Sequence, residues 1–186
     1  MNRLFSWLLA GGGHILLGGV LGFVISNSLA YYTFIETLET TKKIEMIQLA
    51  RDLTHEFYDE TDTNPVFRDV QLAIDTCKKL YKGYDKKEGN FNFHQINIYL
   101  GFFDDLGFYY KKQVLDLETI KQLFGAQVIE AYENNELKRY INDLQKNSKQ
   151  PSAFVNFQAL AQKLEEIPEY KELIKDSQFA CADKGK

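Results

Sequence analysis

Proline and cysteine are nearly absent from this sequence, at three and two in 186 residues, and no extended tract of Ser, Gly and Pro follows residue 30. So few prolines allow long uninterrupted helices, and the lack of such a tract leaves little room for a long disordered linker. Two cysteines cannot make the disulfide framework of a small secreted domain. Cys181 sits in a polar C-terminal stretch, and the simpler expectation for Cys77 and Cys181 is reduced thiols in a cytosolic domain. Histidine is scarce as well, at three. There is no phosphate-cradling Gly-rich loop before a lysine, no GxSxG, no HExxH, no paired CxxC and no calcium loop. No catalytic residue, metal ligand or cofactor is therefore assigned from the sequence.

The most informative absence is of charge. From Leu4 to Ala30 there is no Asp, Glu, Lys or Arg. Leu8 to Ala30 as a helix rising about 1.5 Å per residue would reach roughly 34 Å, enough for a hydrocarbon core of about 30 Å. A transmembrane anchor over residues 1–32 is the expectation, in a bacterial inner membrane. Trp7 at the front and Tyr31 and Tyr32 behind stand where the two headgroup regions would fall. Inside the run, Ala10, His14, Gly18, Gly22, Ser26 and Ala30 recur every four residues and form a line without bulk, suited to close helix packing in lipid. Ser28-Leu29-Ala30 has the small residues of a signal cleavage site, but the apolar run exceeds the ~7–15 residues of a signal core, which favours retention.

Arg3 precedes the run, whereas Lys42, Lys43 and Arg51 follow it closely, a bias that leans towards a cytoplasmic C-terminal domain. All 26 acidic residues and every basic one but Arg3 lie beyond residue 30, giving that part an acidic balance. Nucleic-acid binding needs a basic stripe to neutralise phosphates, and none is found. The expected partners are membrane lipid and either further copies of this chain or another membrane protein.

Beyond the run, apolar residues follow a helical period nearly everywhere. Residues 33–176 are expected to be an all-α bundle of five to six helices, with 177–186 a frayed tail. The first helix continues the anchor without a break, with Thr40-Thr41 its weakest point. Asn64-Pro65 starts a second, whose stripe Phe67, Val70, Ile74, Cys77 and Tyr81 carries it to about Lys82. Ile96 to Tyr110 and Ile120 to Ala131 trace two helices joined by a turn from Lys112 to Asp116, with Asp116 as the cap of the second. After Asn134-Asn135 the pattern continues as a bent or a new helix. A further helix follows Pro151 with Ser152 near its cap, and a short last one starts at Pro168. Tyr99, Asp104, Asp105 and Tyr110, on the aromatic-rich helix, are candidate interaction residues. Asp104 and Asp105 point about 100° apart, which rules out a facing acid and base pair.

The string Asn97-Ile98-Tyr99-Leu100-Gly101-Phe102-Phe103-Asp104-Asp105-Leu106-Gly107, with Tyr110-Lys111-Lys112, Leu115-Asp116 and Leu123-Phe124-Gly125, resembles a family of bacterial and phage-associated proteins. These join a short membrane anchor to a small all-helical domain of uncharacterised function. The resemblance covers about Leu49 to Leu144; it implies that fold and no reaction. The expectation is a single-pass membrane protein whose bundle is an accessory subunit or scaffold. Alternatives are a channel-like effector assembled through the Gly-rich span, and a bundle that binds a small ligand or catalyses a reaction.

Overall fold

The computed structural model describes residues 13–58, 65–80, 89–147, 150–172 and 174, and the side chains among them from Ala30 onward, Asn147 excepted. Among these residues every regular element is a helix. They are α1 (Gly13–Tyr58), α2 (Val66–Asp75), α3 (Phe93–Lys111), α4 (Leu117–Glu133), α5 (Asn135–Asn147) and α6 (Val155–Glu165), followed by a short helical stretch over 168–172. The chain divides into two compact units, Met1–Gln48 and Leu49–Lys186.

In the first unit, α1 passes Thr40-Thr41 without a break. Thr37, Thr40 and Thr41 each donate their hydroxyl to a carbonyl four residues back in the same helix, at 2.7, 2.8 and 2.8 Å. Their hydroxyls are thereby satisfied within the helix itself. Every residue from Ala30 to Gln48 except the half-buried Met46 is exposed. Among the described residues no helix is long and apolar enough to cross a membrane. Of the expected anchor, Trp7 and Ala10 lie outside the described residues, as do the side chains of His14, Gly18, Gly22 and Ser26.

The second unit is organised around α3, which packs against α6, α2 and α4, while α4 also packs against α6, α5 and α2. The reason lies in its sequence. Tyr99, Leu100, Phe102, Phe103 and Leu106 spread apolar bulk over more than one face, and all are buried. Phe57, at the end of α1, meets Phe67, Phe102, Phe103 and Phe124 at ring separations of 5.4, 5.0, 5.7 and 5.8 Å, within the range of favourable offset and edge contacts.

Helix ends follow local chemistry that the apolar stripes do not show. α2 stops at Asp75, not at Lys82, because Cys77 takes a left-handed conformation (φ 55°). The Lys78 N–H then bonds to Ala73 O at 2.8 Å and the Cys77 N–H to Ile74 O at 3.0 Å, closing a Schellman motif. α3 ends the same way at Gln113 (φ 56°). Neither position is glycine; the end of α3 still falls at the expected Lys112 turn, whereas that of α2 comes before the expected Lys82. Asp116 does cap α4, accepting the Thr119 N–H at 2.7 Å. α3 opens on a capping box between Asn92 and Gln95. α5 is a separate helix, capped by Asn134 through the N–H groups of Glu136 and Leu137.

Cys77 is half-buried and disulfide-bonded, which corrects the expectation of a reduced, buried thiol. Its side chain leaves the buried stripe once the helix has ended. The other cysteine of the chain, Cys181, lies outside the described residues.

The glycines of α3 make opposite predictions. A Cβ on Gly101 would meet nothing within 4 Å, whereas one on Gly107 would collide with the backbone oxygen of Asn156. Gly101→Ala should therefore stabilise the chain by about 0.5–1 kcal/mol through helix propensity, and Gly107→Ala should destabilise it by about 1–3 kcal/mol through overpacking. Denaturant unfolding followed by circular dichroism measures both.

Candidate functional site

The four candidate interaction residues of α3 do not form one surface. Tyr99 has no exposed area and its hydroxyl donates to Gln71 Oε1 at 2.6 Å. It is an internal tie and cannot meet a partner in the folded domain. Asp104 is half-buried and faces α6. Its Oδ1 accepts the N–H of Asn156 at 2.9 Å and of Phe157 at 3.0 Å, and its Oδ2 accepts from Asn156 Nδ2 at 3.2 Å.

Those two N–H groups belong to the second and third residues of α6, among the donors that a helix start leaves unsatisfied. Phe154, at the capping position itself, is left-handed (φ 57°) and its side chain makes no capping bond. A carboxylate on another helix thus does the work expected of Ser152, and its negative charge sits favourably at the helix N-terminus. Asp105 is exposed, and its carboxyl is raised above the ordinary range by partial burial and then by the charge of Asp104. Tyr110 is half-buried.

A second polar group was not anticipated. Gln71 accepts from Tyr99, and its amide donates to Glu130 Oε2 at 2.7 Å and to Asp75 Oδ1 at 2.9 Å. One amide side chain therefore holds α2, α3 and α4 together, with its oxygen and both N–H groups in use. Partial burial raises the Glu130 carboxyl above its usual range, Asp75 adds to the rise, and the Gln71 bond opposes it. Full burial pushes the Tyr99 phenol well up, which keeps it a neutral donor. The sequence signal, Gln71 and Asp75 four apart on α2, names neither partner across the fold.

A third group lies where α4, α5 and α6 meet. Lys138 Nζ is 2.9 Å from Glu133 Oε1 and stands 5.2 Å from the centre of the Tyr132 ring. Glu165 is raised by burial and then by Glu133, against the pull of Lys138.

None of these groups pairs a nucleophile with a base oriented by a third residue. Among the described residues, no buried side-chain nitrogen or oxygen lacks a hydrogen-bond partner, and no three His, Cys, Asp or Glu are grouped to hold a metal. The polar groups of the bundle serve one another.

The sequence pattern of a family described as a domain of unknown function (DUF4760) matches residues 24–164. Neither the curated proteins nor the solved structures contain a match to the chain.

Two measurements separate these roles. Asp104→Ala should cost about 1–2 kcal/mol of stability, as the loss of a helix cap does. Asp105→Ala, at an exposed position, should stay within about 0.5 kcal/mol. Because the folded chain holds the Glu130 proton more tightly than the unfolded one, stability should fall as pH rises from the ordinary glutamate range through the raised folded value. Glu130→Gln should flatten that slope and raise stability at neutral pH, as read from denaturant midpoints across the pH range.

Proposed function

The chain belongs to the DUF4760 family, and we propose that it works as a membrane-anchored interaction subunit, a scaffold or accessory protein whose helical domain is held at a bacterial plasma membrane by one N-terminal span. The observation that carries this reading is the charge-free run from Leu4 to Ala30, followed by a helix exposed on all sides from Ala30 to Glu45. A helix that is exposed in isolation and rich in threonine has little intrinsic stability, and such helices gain theirs from packing. A channel-like assembly through Gly18, Gly22 and His14 remains the second reading, resting on the small-residue line in the same run.

Two signals bear on the side that the domain occupies. The basic flank of Lys42, Lys43 and Arg51 favours the cytoplasm. The disulfide at Cys77 favours an oxidising compartment. On the second signal we propose the outer face, against the cytoplasmic expectation.

Full-length protein should stay in the membrane pellet after alkaline carbonate extraction, and a chain lacking residues 1–30 should be released. Extraction of the full-length chain would remove the anchor. Protease added to spheroplasts should digest the domain; protection until lysis would return it to the cytoplasm. Gly22→Leu should weaken association in the span without affecting insertion, measured by co-purification of two differently tagged copies.

A further inference from the structure

Cys77 is one half of a disulfide, and it stands in the turn that stops α2, left-handed at φ 55° with its N–H bonded to Ile74 O at 3.0 Å. The sequence holds one other cysteine, Cys181. Within a single chain the second sulfur can come from nowhere else. Cys181 lies outside the described residues, so its part in the bond is argued from count and reach.

The reach is set by two contacts on α4. Tyr170, in the helical stretch over 168–172, donates its hydroxyl to Lys121 O at 3.0 Å and occupies the space beside Gly125. Gln71, whose amide also holds Asp75 two residues before Cys77, donates to Glu130 Oε2 at 2.7 Å. Gly125 and Glu130 are five residues apart, about 8 Å along the helix axis. Passing round a helix adds roughly 10 Å. From Ile174, the last described residue, Cys181 is seven residues further on, a length that spans up to about 25 Å when extended. The chain is long enough to bring its second cysteine to the end of α2. A sulfur on so short a tether is also present at a far higher effective concentration than the Cys77 of another copy.

We infer that Cys77 and Cys181 are joined within one chain, and that the bond is a redox-sensitive closure of the bundle. It makes residues 77–181 a covalent ring that includes α3 to α6 and ties the C-terminal stretch to the end of α2. A ring of about a hundred residues removes much of the freedom of the unfolded chain, so closure favours the folded one. Forming the bond takes two protons and two electrons from the two thiols. A disulfide-bearing thiol oxidant accepts them and leaves as a dithiol; a dithiol reductant reverses the step by exchange. The closure shares its disulfide with the outer-face reading and does not depend on the membrane anchor.

The test blocks free thiols with N-ethylmaleimide in intact cells carrying the full-length protein, then maps the unreduced peptides by mass spectrometry. A peptide with Cys77 linked to one with Cys181 is expected, from a species that runs as a single chain on a non-reducing gel. Alkylation of both cysteines, a disulfide-linked dimer, or Cys77 capped by a small thiol would each overturn the pairing. In mild detergent, Cys181→Ser should lower the urea midpoint of the oxidised protein to that of the wild type in dithiothreitol, and the variant should not respond to reductant. An oxidised midpoint unchanged by Cys181→Ser would overturn the closure. The side of the membrane is read separately by protease on spheroplasts. A linked pair in a protected domain would uphold the closure while returning the domain to the cytoplasm.

Discussion

The bundle depends on how closely α6 can lie against α3. Gly107 has no side chain, so the backbone at Asn156 can come within a distance that any Cβ would block. At the same contact, one turn earlier, Asp104 takes the two N–H groups that begin α6. One residue permits the approach and the other fixes its position along the helix. With α6 in place, Phe157 stacks on Phe103 at 5.7 Å, and Phe103 continues the set of rings centred on Phe57. A second close contact repeats the device: Gly125 leaves room for the Tyr170 hydroxyl, which donates to Lys121 O at 3.0 Å and holds the last helical stretch.

These contacts consume the side chains that a reader of the sequence would reserve for function. Tyr99 and Asp104 look like interaction residues because they are polar groups in an aromatic helix. In the fold they are internal ties, one to Gln71 and one to α6. The surface left to do work is elsewhere, and the segment least explained by its own contacts is the exposed stretch of α1 between Ala30 and Gln48.

Periodicity made the helical class, the length of α1 and the paired helices α3 and α4 legible, since each has an apolar stripe longer than two turns. Asp116 was legible as a cap because its bonds are local. The end of α2 was not, because Cys77 occupies a left-handed position where glycine is the usual cue. The Asn92 to Gln95 capping box could have been read, being a spacing of three ahead of an apolar run. The Asp104 cap could not, because its donors lie 52 and 53 residues away. The same holds for the Gln71 junction, whose partners are 28 and 59 residues distant. Spacing reports what a residue does within its own helix; those two residues act across helices.

The role proposed for the chain is association at a membrane. Its most direct test is the mass of the full-length protein in mild detergent, by mass photometry or sedimentation over a range of concentrations. Particles larger than the single 21.6 kDa chain, made of further copies or of this chain with another membrane protein, are the predicted result. A particle of a single chain at every concentration would contradict it.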